Sequence, residues 1–106
     1  MQVLRVSLMA VLLTLVGCLS HTAAEAPNAS RGAALMNACV TCHGPAGRSQ
    51  GAIPSFDTMP IKDFVAALRA FQTGARQGTV MNRIAKGLDE AEIEAVAAYF
   101  ASLRQR

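Results

Sequence analysis

Two stretches in the second half of the chain have apolar residues at helical spacing. From Pro60 to Thr73, apolar side chains recur every three or four positions, at Phe64, Val65, Leu68 and Phe71. After Asp89 a second apolar stripe follows, at Ile93, Val96, Ala97, Phe100 and Leu103. This spacing places apolar side chains on one face of an α-helix. Asp89 with Glu92 three positions later forms a capping box, and Gly74 marks the end of the earlier helix.

The rest of the pattern predicts two further helices and one long loop. Asn28 can cap a first helix that runs to about Ala38, and a short helical piece from Met81 to Lys86 closes at Gly87. Between them, the glycines and prolines of residues 44–54 exclude regular structure. No strand-like alternation is found. The chain is therefore predicted to be all-α, with about four short helices and long loops.

The first residues have the layout of an export signal. Arg5 precedes a largely apolar run over residues 6–16, followed by small and polar residues. This run is about half of what a membrane-spanning helix needs. Two processing routes stay open: a signal peptide of residues 1–24, or a lipoprotein signal of residues 1–17 with Cys18 lipidated. The expected location is the periplasm, with a linker at 25–30, a folded domain at 31–106, and membrane contact only through a lipid on Cys18.

Composition limits the function classes. The 106 residues fit one domain, and part of the 52% hydrophobic content belongs to the export segment. The net charge of +3 comes from scattered basic residues without interleaved aromatics, which is not typical of nucleic-acid binding. A domain this small usually needs a disulfide, a metal or a similar support. Besides Cys18, the only cysteines are the adjacent pair Cys39 and Cys42.

That pair belongs to the motif with the clearest chemistry, Cys39-Val40-Thr41-Cys42-His43. This spacing is typical of covalent haem c attachment. Cysteines three apart lie on one side of a helical turn, so both sulfurs can reach the vinyl groups along one ring edge. His43 can then bind the iron as an axial ligand. A thioredoxin-like site would need a strand–helix context, and a zinc site would need a second pair of ligands.

A methionine is the expected second axial ligand, because Met with His raises the potential of haem iron. Outside the export segment the candidates are Met36, Met59 and Met81. Met36 precedes the motif on its own helix and should pack in the core. Met81 is favoured over Met59, because glycines at 78 and 87 let its segment cross the opposite face of the haem. If Met81 were only core filler, the open iron would indicate a haem enzyme or gas sensor, for which His21 is a poor distal group.

Three segments carry a family resemblance: Gly32 with CVTCH, the loop GPAGRSQGAIPS, and TVMNRIAKGLDEAEIEAVAAYFASL. Together they resemble class I cytochromes c. The segment FQTGARQGTVMNRIAKG is similar to the cytochrome subunit of flavocytochrome c sulfide dehydrogenases. The resemblance implies a fold wrapped around one covalent haem, with Met81 as the distal ligand. It also implies that the Pro54 carbonyl holds the His43 imidazole, and that Gly32 and Tyr99 meet where the first and last helices cross.

The chain departs from that family at two points. Phe56-Asp57 stands where many relatives have a small residue and a glycine, and a single CxxCH stands where many such subunits carry two. The first departure bears on the path of the loop, and the second bears on the partner.

The implied function is transfer of single electrons by a mono-haem cytochrome that is not itself an enzyme. As a subunit it would accept electrons from a sulfide-oxidising flavoprotein. The alternative is a free-standing periplasmic or lipid-anchored carrier to a terminal oxidase. Four basic residues would either steer an acidic partner or form a solvated face: Arg69, Arg76, Arg83 and Lys86.

Overall fold

The computed structural model describes residues 26–106. Within this range the elements are α1 (Ala26–His43), a 3₁₀ turn (Pro45–Gly47), α2 (Ile61–Thr73), α3 (Met81–Lys86) and α4 (Glu90–Leu103). These residues form no strand, which confirms the all-α prediction. None of the helices described is long and apolar enough to cross a membrane. The export segment, Cys18 and His21 lie outside the described residues.

Helix α1 is longer at both ends than the sequence predicted. It begins at Ala26, so Asn28 is not its cap, and most of the segment assigned to the linker is helical. Alanines at 26 and 29 favour the helix, and Pro27 lies in the first turn, where a missing N–H costs nothing. The predicted end at Ala38 was also wrong, because the helix continues through the cysteine motif to His43. Gly44, with φ of 85°, ends it.

The other helices have the predicted bounds to within one residue. Pro60 precedes α2, and Gly74 ends it in the left-handed conformation with φ of 83°. Helix α3 runs from Met81 to Lys86 as predicted. At the start of α4, the Asp89 carboxylate accepts the Glu92 N–H (2.8 Å) and the Glu92 carboxylate accepts the Asp89 N–H (3.1 Å). The capping box is therefore confirmed.

Helices α1 and α4 cross at Gly32, which is buried. A methyl group at this position would overlap the Ala95 carbonyl oxygen and lie 2.8 Å from Tyr99 Cβ. The predicted meeting of Gly32 with Tyr99 is confirmed. An ion pair between Arg31 on α1 and Glu92 on α4 lies next to the crossing. Arg69 on α2 pairs with Glu90, so the first turn of α4 is tied to both of the other long helices.

One apolar core lies between α1, α2 and α4. Its buried side chains are Met36, Phe56, Phe64, Leu68, Ile93, Val96, Ala97 and Phe100. Met36 is 2% exposed, so it packs in the core as expected. Cys39, Met59 and Met81 pack against the edge of this core while partly exposed. The core thus reaches both the end of α1 and the start of α3.

Candidate functional site

The last turn of α1 presents two thiols and an imidazole. Cys39 and Cys42 are free cysteines separated by one helical turn, so they lie on the same side of the helix. Cys42 is exposed, whereas Cys39 is half-buried, and burial raises the pKa of its thiol. Within the described residues, no three His, Cys, Asp or Glu side chains are grouped to hold a metal ion. This end of α1 therefore offers sulfurs for attachment and one ring nitrogen, rather than a cage for a bare ion.

The imidazole of His43 is held by the loop that follows α1. Its Nδ1 lies 2.5 Å from the Pro54 carbonyl oxygen. A carbonyl can only accept a hydrogen bond, so Nδ1 must carry the proton and donate it. In this tautomer Nε2 keeps its lone pair, which is the state in which an imidazole binds a metal. The structure thus brings together His43 and Pro54, which the family resemblance had paired.

The loop is closed at its base by backbone hydrogen bonds. The Gly47 carbonyl accepts the N–H groups of Phe56 (2.9 Å) and Asp57 (3.2 Å). Gly47 has φ of 79°, and a methyl group there would lie 2.9 Å or less from atoms of the Phe56 ring. Arg48 pairs with the Asp57 carboxylate at 3.0 Å across the same closure. Closing the loop at Gly47 places Pro54 next to α1.

Phe56 connects the imidazole to the core. Its ring centroid lies 5.2 Å from those of His43, Phe64 and Phe100, and it is 7% exposed. The Asp57 carbonyl accepts a hydrogen bond of 2.7 Å from Arg104, beyond the end of α4. The loop of this chain therefore accommodates both Phe56 and Asp57. The large ring fills core volume, and Asp57 is held by two arginines.

Met81 is the first residue of α3, so it lies on a different element from the cysteine motif. It is half-buried and packs against the core. Met59, the alternative, is also half-buried against the core, just before α2. Burial therefore does not distinguish Met81 from Met59 as the candidate ligand. The residues next to each methionine in the chain do differ.

Met81 is flanked by apolar side chains that the protein leaves exposed. Val80 is 57% exposed and Ile84 48% exposed, and both lie within one turn of Met81. The remaining exposed large hydrophobic residue of the described chain is Ile53, next to Pro54. Large apolar residues exposed beside candidate ligands are typical of a surface that an apolar group covers. A flat, mostly apolar ring such as haem fits this arrangement.

Two amide side chains near Met81 were missed by the sequence reasoning. Asn82 Nδ2 donates to the carbonyls of Phe71 (2.8 Å) and Arg76 (2.7 Å), and its Oδ1 accepts the Gly78 N–H (2.8 Å). Gln72 on α2 donates to the Ala85 carbonyl near the other end of α3 and to the Leu88 carbonyl just beyond it. No sequence signal identifies these amides, because each acts across a loop or between helices.

Six basic residues of the described chain divide into two groups by their partners. Arg31, Arg48 and Arg69 each form an ion pair with a carboxylate. By contrast, the cationic segment, which we define as residues 76–86, carries three exposed cations without a carboxylate within ion-pair distance in the described chain: Arg76, Arg83 and Lys86. Arg69 therefore leaves the group proposed to steer a partner, and the remaining three surround Met81 in sequence.

Comparison with known proteins agrees with these observations. The family model described as Cytochrome c matches residues 29–104. The chain is 40% identical over 77 residues to the "Cytochrome subunit of sulfide dehydrogenase" of Chlorobaculum tepidum, covering 73% of this chain and 70% of that protein. It is 38% identical over 72 residues to the "Thiosulfate dehydrogenase electron acceptor" of Stutzerimonas stutzeri, covering 64% of this chain but only 33% of that protein. It is also 30% identical over 81 residues to "Cytochrome c-554(548)" of Halomonas halodenitrificans, covering 73% of this chain and 98% of that protein.

Proposed function

Because the chain belongs to the cytochrome c family and so carries a covalently bound haem c, we propose that Cys39 and Cys42 hold the ring and that His43 and Met81 bind its iron. The contact between His43 Nδ1 and the Pro54 carbonyl oxygen is the observation that carries the assignment of His43. It leaves Nε2 free for the metal and orients the ring, as hydrogen-bonded partners of ligand histidines do. The haem supplies a one-electron ferric–ferrous couple.

The Met81 assignment can be tested against the two other methionines. Met81→Ala should abolish the low-spin spectrum of the ferric protein and lower its reduction potential, because a thioether ligand raises the potential. Met59→Ala and Met36→Leu should retain the spectrum. A low-spin, thioether-type spectrum in Met81→Ala that is lost in Met59→Ala would reverse the assignment.

We further propose that the protein transfers single electrons from a sulfide-oxidising flavoprotein. The relative from Chlorobaculum tepidum, named as a sulfide dehydrogenase subunit, supports this partner. A free-standing carrier is the second candidate. It is favoured by the relative from Halomonas halodenitrificans, named simply as a cytochrome and matched over 98% of its length.

Purification from the native host separates the two functions. A subunit should copurify with a flavoprotein, and addition of sulfide under argon should reduce the haem of that complex rapidly. As a control, the haem of the cytochrome purified alone should be reduced after addition of sulfide no faster than after addition of buffer. A lone cytochrome that sulfide does not reduce, with or without host extract, would favour the free carrier.

We propose that the cationic segment attracts an acidic partner. Its exposed positive charges, which flank Met81 in the chain, would speed association with that partner, and salt would screen them. Arg83→Glu with Lys86→Glu should slow electron transfer and flatten its dependence on ionic strength. Lys62→Glu with Arg106→Glu changes the net charge equally but lies outside the segment. Equal slowing by both pairs would show that net charge alone matters.

We also propose that the protein is exported to the periplasm. The support is the sequence pattern of residues 1–26, with a basic start and a short apolar run. Mass spectrometry of the mature N-terminus distinguishes the two routes. Cleavage after Ala24 gives an unmodified N-terminus, whereas lipidation gives an acylated Cys18.

A further inference from the structure

Helix α3 is too short to hold its position unaided. It has six residues, and its N-cap residue, Val80, provides no side-chain hydrogen bond. Isolated helices below about 12 residues are marginal in water. Loops that contain glycines at 74, 78 and 87 precede and follow it. The position of its first residue, Met81, must therefore depend on bonds to neighbouring elements.

Asn82 supplies those bonds on the side where the chain enters α3. Its amide nitrogen donates to the last turn of α2 at the Phe71 carbonyl (2.8 Å) and to the loop at the Arg76 carbonyl (2.7 Å). Its amide oxygen accepts the N–H of Gly78 at 2.8 Å. Both donors and the acceptor of this one side chain are used. The residue next to Met81 thus ties α2, the loop and α3 together.

Gln72 supplies the matching bonds on the side where the chain leaves α3. Its Nε2 donates to the Ala85 carbonyl at 3.2 Å and to the Leu88 carbonyl at 2.7 Å. Both bonds are partly buried. The Ala85 carbonyl also accepts the backbone N–H of Leu88 (3.1 Å), so the loss of Gln72 would weaken the hold on α3 mainly at Leu88. Gln72 and Asn82 therefore clamp α3 onto α2 from its two ends.

We propose that Asn82 and Gln72 are positioning residues that keep the Met81 thioether on the haem iron. This inference rests on the proposed role of Met81 as a ligand. Neither amide is proposed as a ligand, since both are hydrogen-bonded to backbone groups. Their effect is on the equilibrium between a closed segment, with the thioether bound, and an open one. Removing one clamp raises the open fraction without unfolding the remaining helices.

Imidazole binding to the ferric holoprotein measures this open fraction. Imidazole can bind the iron only where the thioether has left, so its apparent Kd is the intrinsic Kd divided by the open fraction. Asn82→Ala should lower the apparent Kd by about tenfold, the factor that corresponds to losing one or two net hydrogen bonds. Gln72→Ala should also lower the apparent Kd. Met81→Ala supplies the intrinsic Kd of the fully open site.

Two controls separate positioning from general stability. Gln77→Ala removes the same kind of amide from the same loop, but Gln77 bonds only locally, to the Gly74 carbonyl (3.0 Å), and should leave the Kd unchanged. Val96→Ala creates a cavity in the core on α4, a helix that carries neither amide, and should also leave the Kd unchanged.

The outcomes distinguish failure of this inference from failure of the ligand assignment. If Met81→Ala binds imidazole no more tightly than the wild type, Met81 is not the ligand and the clamp proposal falls with it. If Met81→Ala binds far more tightly but Asn82→Ala and Gln72→Ala match the wild type, only the clamp proposal is overturned. A lowered Kd in Val96→Ala equal to that in Asn82→Ala would also overturn it, because it would reflect global loosening.

Discussion

Gly32 has no side chain, and this lets α1 approach the backbone of α4. A side chain there would meet the Ala95 carbonyl oxygen, which belongs to a helix backbone and cannot turn aside. Gly47 has a similar role at the loop closure, where the Phe56 ring occupies the space of a side chain. In both places a neighbouring group occupies the space that a side chain would need.

Gly32→Ala should therefore destabilise the protein. Alanine gains about 1 kcal/mol of helix propensity over glycine, but overpacking against an unyielding group costs about 1–3 kcal/mol. We expect a net loss of about 1 kcal/mol in the free energy of unfolding, measured by denaturant titration of the holoprotein. Gly51→Ala is the matched control, because nothing lies within 4 Å of its added methyl group. Equal stabilities of the two variants would contradict the close approach.

Local signals explain which residue positions could be predicted from the sequence. The bounds of α3 and α4 follow from Gly87 and from the Asp89–Glu92 pair, which lie within a few residues of the ends they mark. The burial of Phe56 depends on aromatic residues 8 to 44 positions away in the chain, and the bonds of Asn82 reach residues 4 to 11 positions away. Such contacts exist only once the chain has folded, so no local pattern reveals them.

Among the elements, α4 has the best-defined start. Its capping box satisfies two N–H groups, and its acidic first turn suits the positive end of the helix. Arg31 and the Asp89 N–H lower the pKa of Glu92, in that order of importance. The folded state thus favours the ionised form of this carboxyl.

The lowered pKa gives a pH dependence of known sign. The contribution of ionised Glu92 to stability is fully present above its ordinary pKa of about 4.3 and is lost as the pH falls through the lower pKa of the folded state. Glu92→Gln can keep the capping box but lacks this contribution. We expect the variant to be less stable at pH 7, with the difference from the wild type shrinking below about pH 4.

Urea titrations across that pH range provide the measurement. Glu94→Gln is the control, because Glu94 is exposed on the same helix but outside the capping box. A difference between Glu92→Gln and the wild type that stays constant down to pH 3 would show that the ionised carboxyl is not responsible.

For the molecule as a whole, the core is small. The buried apolar residues of the described chain number ten, and three of them are alanines. A chain of this size buries too little surface for a wide margin of stability. With the ligands proposed above, a covalently held ring would add apolar area next to Met81 and His43 and would link α1 to α3.

Removal of the attachment should therefore affect the entire fold. We expect the double variant Cys39→Ser/Cys42→Ser to lose its haem and to show a broad thermal transition at a lower midpoint by far-UV circular dichroism. Met81→Ala, which keeps the ring but would lose one of the two proposed iron ligands, should melt between the two. A double variant that melts as sharply and at the same temperature as the wild type would show that the protein core suffices.

The closure of the loop at Gly47 has a consequence for how lineages of this family diverge. Residues 50–52 are exposed and lie beyond the hydrogen bonds that join Gly47 to Phe56 and Asp57. Doubling the length of a flexible loop costs only about 0.6 kcal/mol. Insertions at Gly51 can therefore accumulate by drift while Pro54 stays beside His43, so descendants can acquire new surface shapes at this site and keep the same imidazole geometry.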